Sequence, residues 1–206
     1  MPYYPDINIL FIHIPKTGGT SLEGFFSKKS SQQLFCCHGW NNVFPKETHL
    51  SNYSLQHQSL KDIEKYKELF PQIKFDKNLK IISVVRNPYN RIISDLKFNR
   101  LLNTNTKDPD KIYDIIKKFV ESPYEKYDNH NRPQYQYLIN DKNEIDSRVT
   151  IFRSETLTKD MQNYGFPDYR GKETSPQYLH LLNEKSIELI NKVYDLDFKF
   201  FNYKKI

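Results

Sequence analysis

The sequence of 206 residues contains no alanine, only two cysteines and no long hydrophobic run. Cys36 and Cys37 are adjacent, so they cannot form a long-range disulfide, and a fold held together by disulfides is excluded. No stretch approaches the roughly 20 apolar residues that a membrane-spanning helix needs. The N-terminus lacks the basic and apolar segments of a signal peptide. We therefore expect a cytoplasmic protein without a membrane span.

Motifs for several kinds of chemistry are also missing. The sequence has no Cys-x-x-Cys, no His-Glu-x-x-His and no dense carboxylate cluster, so we expect no metal. It has no Gly-x-Ser-x-Gly elbow, which argues against a serine hydrolase. The lysines are scattered, so we expect no nucleic-acid partner, whereas the net charge of +6 favours anionic ligands.

Strands and helices alternate along the chain. Apolar, partly β-branched segments predict buried strands at residues 7–12, 80–86 and 148–152. One predicted helix starts at Leu22, and four more cover residues 59–70, 88–102, 110–121 and 183–194. A sixth has Ser154 as its N-cap and ends at Tyr164. This order predicts an α/β fold with a central parallel sheet of four to five strands flanked by helices.

The length is that of one domain, and we expect it to cover residues 1–206. The 15 tyrosines and 14 phenylalanines supply large apolar surfaces for its core. Residues 27–55 show no clear pattern and are expected to be largely loop.

The turn after the first strand is suited to an anion. Gly18 and Gly19 let the backbone bend and approach a ligand closely. The helix that follows directs its N–H groups and its positive dipole end at the same point, and Lys16 adds a full charge. The sequence therefore predicts a site for a phosphate-like group, formed by Lys16, Gly18, Gly19, Thr20 and Ser21.

This turn differs from the loop of nucleoside triphosphatases. In that motif the lysine follows the glycines and precedes a serine or threonine that binds magnesium. Here Lys16 precedes Gly18 and Gly19, and no hydroxyl residue follows a Gly-Lys pair. The order of residues therefore argues against an ATP-magnesium site of the usual kind.

A second anion-binding element follows the predicted strand at residues 80–86. Arg86 lies at the carboxyl end of this strand, the edge at which ligands bind in open α/β sheets. Its guanidinium can make two parallel hydrogen bonds to a phosphate. Ser94, on the next predicted helix, can add a hydroxyl, whereas the role of Arg91 is open.

The string His-Ile-Pro-Lys-Thr-Gly-Gly-Thr-Ser at residues 13–21 resembles the 5′-phosphosulfate loop of sulfotransferases that use 3′-phosphoadenosine-5′-phosphosulfate (PAPS), especially their carbohydrate branch. Residues 86–94 are similar to the family's Arg-x-Pro-x-x-Arg-x-x-Ser element. The resemblance implies a P-loop-like fold and PAPS as the co-substrate, with its 5′-phosphate on the loop from Thr17 to Ser21 and its 3′-phosphate on Arg86 and Ser94. It also implies a carbohydrate hydroxyl as the acceptor.

Transfer to a hydroxyl requires a base, and histidine is the usual one near neutral pH. The segment His57-Gln-Ser-Leu-Lys-Asp resembles the family's His-x-Ser-x-x-Asp element, whose histidine is the proposed base. Ser59 and Asp62 also form a helix start signal of the capping-box type, which would keep His57 neutral just before a helix N-terminus. His49, which also precedes a serine, is the alternative.

The resemblance gives Lys16 a second role, the stabilisation of charge on the bridging oxygen as the S–O bond breaks. Arg132, in a His-x-x-Pro-Gln stretch, either meets an anionic glycan or lies in a surface turn. Lys172 and Thr174 fall in a segment similar to the family's nucleotide-covering loop. Two other functions stay open: a P-loop nucleotide or small-molecule kinase, and a non-catalytic nucleotide- or glycan-binding protein.

Overall fold

The computed structural model describes residues 1–35, 54–103, 105–171 and 178–206. Its four-stranded sheet has the order β1-β2-β3-β4, with the strands β1 (Tyr3–Tyr4), β2 (Ile9–Ile12), β3 (Lys80–Val85) and β4 (Val149–Arg153). Strands β2, β3 and β4 are parallel, and the two-residue β1 pairs antiparallel with β2. The predicted α/β class and strand number are confirmed, and the one antiparallel pair was not predicted.

Seven α-helices lie within the described residues: α1 (Gly19–Phe26), α2 (Leu60–Lys65), α3 (Pro88–Phe98), α4 (Pro109–Val120), α5 (Leu157–Tyr164), α6 (Glu184–Val193) and α7 (Asp195–Phe200). The helices predicted at 88–102, 110–121 and 183–194 are confirmed with slightly shorter bounds. The helix predicted over 59–70 is split, because α2 ends at Lys65 and a separate 3-10 turn covers Lys67–Leu69.

Two predicted N-caps have different outcomes. Ser59 caps α2 as expected, because its side chain accepts a hydrogen bond from the backbone N–H of Asp62. The prediction for Ser154 is wrong, because α5 begins at Leu157 and Thr156 holds the N-cap position. The backbone N–H of Ser154 instead donates to the carbonyl of Val85, so this residue extends the pairing of β4 with β3.

The central strands are buried on both faces because their alternate side chains enter two different apolar clusters. Ile9 and Phe11 pack with Leu22 and Phe26 of α1 and with Met161 of α5. The opposite face packs against α2 and the segment around Tyr137, through Leu10, Ile12, Ile81 and Val85 of the sheet. A third cluster joins α3, α4, α6 and α7. The sheet is thus covered on both faces, and its parallel strands end at one edge.

Candidate active site

The turn after β2 has an unusual backbone conformation at two residues. Lys16 has a positive φ of 62°, which is uncommon for a residue with a side chain, and Gly18 has a φ of 99°. Gly18 is the N-cap of α1, so Gly19 and Thr20 occupy the first two helical positions. The N–H groups of such positions have no intrahelical partner. The turn therefore presents backbone donors beyond the end of β2, but the helix begins at Gly19, three residues before the predicted start at Leu22.

Gly19 is required by the packing of His13 against the turn. A Cβ atom at Gly19 would lie 2.2 Å from Nε2 of His13. The His13 ring is buried, and its Nδ1 contacts Oε1 of Glu23, one turn further along α1. This histidine–carboxylate pair ties the end of β2 to α1 and fixes the turn between them.

Two of the predicted loop hydroxyls form hydrogen bonds within the protein. The hydroxyl of Thr17 is fully buried and donates to the carbonyl of Ile14 at 2.8 Å. The hydroxyl of Ser21 accepts a hydrogen bond from the Tyr169 hydroxyl at 3.1 Å. Binding by Thr17 would therefore have to use its backbone N–H, whereas the N–H of Ser21 already donates to the carbonyl of Gly18.

The Lys16 ammonium lies over the ring of Phe98, 4.3 Å from its centroid. Burial lowers the pKa of Lys16, Asp95 partly offsets this effect, and Arg86 adds to it. Phe98 is 59% exposed and closes α3, one helical turn after Ser94. Lys16 thus reaches across the carboxyl edge of the sheet toward the face of α3 that carries Ser94.

Arg86 follows β3 and is 7% exposed. Its Nη1 donates to the carbonyl of Lys16 at 3.2 Å, while its Nε is buried and has no hydrogen-bond partner. A buried guanidinium N–H without a partner is costly unless a ligand accepts from it. The side chain therefore contributes unused donor capacity next to the turn.

Arg91, whose role the sequence left open, holds backbone rather than a ligand. Its Nε donates to the carbonyl of Pro15 at 3.1 Å, and its two terminal nitrogens donate to the carbonyls of Arg132 and His130 at 2.9 and 2.8 Å. Its side chain is almost completely buried beside Asp95. Arg91 therefore joins the turn after β2 to the segment that carries His130.

His57 is held by an acidic residue that the sequence reasoning missed. Its Nδ1 lies 2.8 Å from Oδ2 of Asp128. Oδ2 also accepts from the hydroxyl of Ser54 at 2.7 Å, and Oδ1 accepts from the backbone N–H of Ser54 at 2.9 Å. These hydrogen bonds outweigh burial and hold the pKa of Asp128 below its usual value. Because a carboxylate can only accept, the proton lies on Nδ1 of His57 and Nε2 keeps its lone pair.

Burial lowers the pKa of His57 to about 4, although the hydrogen bond to Asp128 acts in the opposite direction. The side chain is therefore a neutral imidazole at physiological pH. The cause differs from the sequence prediction, which attributed neutrality to the N-terminus of the next helix.

Two further histidines lie against His57. The rings of His13 and His130 approach it edge-on, with centroids 5.4 and 5.0 Å away. His130 is also held through Nδ1, which lies 2.7 Å from Oδ1 of Asp95, and its ring stacks on Phe98. The sequence carried one usable signal for Phe98, because it lies four residues after Ser94 on α3 and so shares a face of the helix with it. Contacts such as His57–Asp128 join distant segments and left no local pattern.

A cavity of about 440 Å³ brings these groups together. Its lining includes Lys16, Gly18, Gly19, Thr20, Arg86 and Ser94, which the sequence singled out for anion binding, and His57, which it singled out as the base. It also includes His13, Pro15, Gln56, Phe98 and His130. Thr17 and Ser21 lie outside this lining, and Ser21 lines a neighbouring cleft together with Thr20.

Other predicted residues lie elsewhere. Arg132 lines a different cleft, with its Nη1 3.5 Å from Oδ2 of Asp62 and its guanidinium over the rings of Tyr124 and Tyr137. His49, Lys172 and Thr174 lie outside the described residues. Within the described ranges, no three histidine, cysteine, aspartate or glutamate side chains group to hold a metal ion. None of the helices in those ranges is both long and apolar enough to cross a bilayer.

Comparison with protein families matches residues 3–204 to the sulfotransferase family. Since the match covers nearly the whole chain, this protein belongs to the sulfotransferase family. This membership supports transfer of a sulfuryl group in general, and it confirms the family resemblance seen in the two motifs. Searches of curated proteins and of solved structures found no match.

Proposed function

We propose that this protein transfers the sulfuryl group of PAPS to a hydroxyl of a carbohydrate acceptor. One observation carries the proposal: a single cavity is lined by Lys16, the glycine turn, Arg86 and Ser94, and also by the neutral His57. These are donors for an anion on one side and a proton acceptor on the other. The carbohydrate acceptor rests on the resemblance of residues 13–21 to the carbohydrate branch.

The anion-binding groups fit a ligand with two separate phosphate groups. Lys16 and the first N–H groups of α1 would hold the 5′-phosphosulfate, since a helix N-terminus and an ammonium both favour negative charge. Arg86, with its unpartnered Nε, and Ser94 would hold the 3′-phosphate. Because protein groups would hold both phosphates, binding would not need the magnesium-binding hydroxyl that follows the lysine in nucleoside triphosphatases.

The adenosine would extend from this cavity into a neighbouring cleft. Thr20 lines both, and the second cleft also contains the Phe25 and Tyr169 rings and the basic side chains of Lys28 and Arg170. The two rings pack edge to face with centroids 5.1 Å apart. They offer apolar surface to a base, while the cations add attraction for a nucleotide.

The proposed reaction is an in-line displacement at sulfur. The acceptor oxygen forms a bond to sulfur, its proton passes to Nε2 of His57, and the bond from sulfur to the bridging oxygen of the 5′-phosphate breaks. Adenosine 3′,5′-bisphosphate leaves with the electron pair of that bond. Lys16 stabilises the negative charge that develops on the bridging oxygen, and Asp128 stabilises the imidazolium formed at His57.

Ligand-induced thermal shifts separate this function from the kinase alternative. A ligand that binds only the folded protein raises Tm. We expect adenosine 3′,5′-bisphosphate to raise Tm more than ATP with magnesium, and Arg86→Ala to reduce this shift. Arg148→Ala is the matched control, since Arg148 pairs with Asp146 and Glu64 far from the cavity lining. A preference for ATP with magnesium would contradict the proposal.

Transfer itself is tested with PAPS labelled in its sulfuryl group and a panel of polysaccharide and oligosaccharide acceptors. We expect label on at least one acceptor with the unmutated protein and none with His57→Ala. Bisphosphate binding without transfer to any acceptor would instead support a non-catalytic binding protein. A cytoplasmic location, a single domain over residues 1–206 and independence from metal stay predictions from the sequence.

A further inference from the structure

The side chain of Gln134 pairs with the main chain of Arg86 as a neighbouring strand would. Its Oε1 accepts from the backbone N–H of Arg86 and its Nε2 donates to the Arg86 carbonyl, both at 2.8 Å. Regular pairing of β3 with β4 ends at Val85 and Arg153. The Gln134 amide therefore satisfies the backbone N–H and the carbonyl of Arg86, the first residue after β3, where β4 no longer pairs with it.

Gln134 is held in turn by one carboxylate from the C-terminal helix α7. Oδ2 of Asp197 accepts from the backbone N–H of Gln134 at 2.9 Å and from its Nε2 at 3.3 Å, and Oδ1 accepts from the N–H of Tyr135 at 2.8 Å. Gln134 and Asp197 are fully buried. The carboxylate thereby fixes which way the Gln134 amide points, because only the Nε2 end can face it.

The same chain of contacts continues to the anion-binding turn. Arg86 Nη1 donates to the carbonyl of Lys16, the residue with the strained positive φ. The Arg86 Nε has no hydrogen-bond partner, so it does not tie the guanidinium to another residue. Asp197, Gln134, Arg86 and Lys16 therefore form one continuous series of hydrogen bonds from α7 to the proposed phosphate site.

We propose that Gln134 and Asp197 are positioning residues that aim Arg86 at the bound anion, an inference that rests on the proposed role of Arg86 in binding PAPS. Neither residue lines the cavity, so neither touches the nucleotide. Their contribution is to hold the end of β3 in the orientation from which a guanidinium can reach a phosphate. Two-pronged binding by arginine depends on such alignment.

A double-mutant cycle with Arg86→Ala separates positioning from general destabilisation. The variants are Gln134→Met, which keeps the length and removes both hydrogen bonds, and Asp197→Asn, which keeps the shape and removes the charge. The measurement is the Kd for adenosine 3′,5′-bisphosphate by calorimetry, in the unmutated and the Arg86→Ala backgrounds. Tm is recorded for every variant, and Asp197→Asn serves if Gln134→Met does not fold.

We expect Gln134→Met to weaken binding about tenfold, the size of one net hydrogen bond to a charged group. In the Arg86→Ala background the same substitution should change Kd less than twofold. Asn183→Ala is the matched control, because it removes the N-cap of α6 and should lower Tm without changing Kd.

The outcomes are distinguishable. An equal loss of affinity in both backgrounds, or no loss in the unmutated background, would overturn the positioning role while leaving the proposed function intact. Failure of the unmutated protein to bind the bisphosphate would overturn the proposed function and the positioning role together. If Asn183→Ala raised the Kd as much as Gln134→Met does, the positioning role would also be overturned, because destabilisation alone would then explain the loss of affinity.

Discussion

Nδ1 of His57 and Oδ2 of Asp128 lie 2.8 Å apart, although 71 residues separate them in the sequence. The carboxylate keeps the proton on Nδ1 and so leaves Nε2 free to accept one. In Asp128→Asn the amide can donate to Nδ1 and favour the opposite tautomer. We expect kcat to fall by about 10²- to 10⁴-fold, the range of general-base contributions, with the Kd for adenosine 3′,5′-bisphosphate unchanged. Asp141→Asn, at an exposed surface pair with Lys61, is the control.

The pH dependence of activity tests the state of His57. Its pKa of about 4 leaves the imidazole neutral through the physiological range. The acid limb of the pH profile of kcat/KM, measured with saturating acceptor, should therefore lie well below pH 6.5. An acid limb centred at or above the ordinary histidine value would show that another group is the base.

The same lowered pKa makes stability depend on pH. Because the folded state holds this proton less tightly than the unfolded state, whose histidine pKa is near 6.5, stability falls as pH drops from 6.5 toward 4. The loss from His57 should be about 2 kcal/mol by pH 5. Urea unfolding at pH 7.5 and pH 5 should show this loss in the unmutated protein and a smaller one in His57→Gln. Equal losses in both would contradict the assignment.

Lys16→Gln distinguishes transition-state stabilisation from simple anion binding. If Lys16 acts on the breaking S–O bond, kcat should fall by at least about tenfold while the Kd for PAPS, measured without acceptor, changes much less, because the bridging oxygen of PAPS does not yet carry the charge that develops in the transition state. Single-turnover transfer of labelled sulfate together with calorimetry gives the two quantities. A large change in Kd with little change in single-turnover rate would mean that Lys16 only binds.

Gly19 and Gly24 lie on the same helix α1 and should respond in opposite ways to alanine. Gly19→Ala places a methyl group 2.2 Å from the His13 ring and must displace it, so we expect the free energy of unfolding to fall by about 1–3 kcal/mol. Gly24→Ala meets no atom within 4 Å and should raise the same quantity by up to about 1 kcal/mol. Denaturant unfolding measures both. Similar effects at the two positions would refute the packing role of His13.

The sequence predicted what is encoded locally. The buried strands, the turn at Gly18, the cap at Ser59 and the position of Arg86 all follow from neighbouring residues, and the structure has them. The partners of these residues were not predicted, since His57 with Asp128 and Arg86 with Gln134 are joined only by the fold. The late start of α5 reflects strand pairing, because the Ser154 N–H donates to the carbonyl of Val85 and Ser154 does not cap the helix.

Arg91 couples the opening of the two sides of the cavity. Its three hydrogen bonds reach the turn that would hold the donor phosphate and the segment that carries His130, so neither can open without breaking bonds to the other. Regions joined in this way exchange their amide hydrogens as one cooperative unit. The amides near Pro15 and those near Arg132 should therefore share one opening free energy, and Arg91→Met should split it into two.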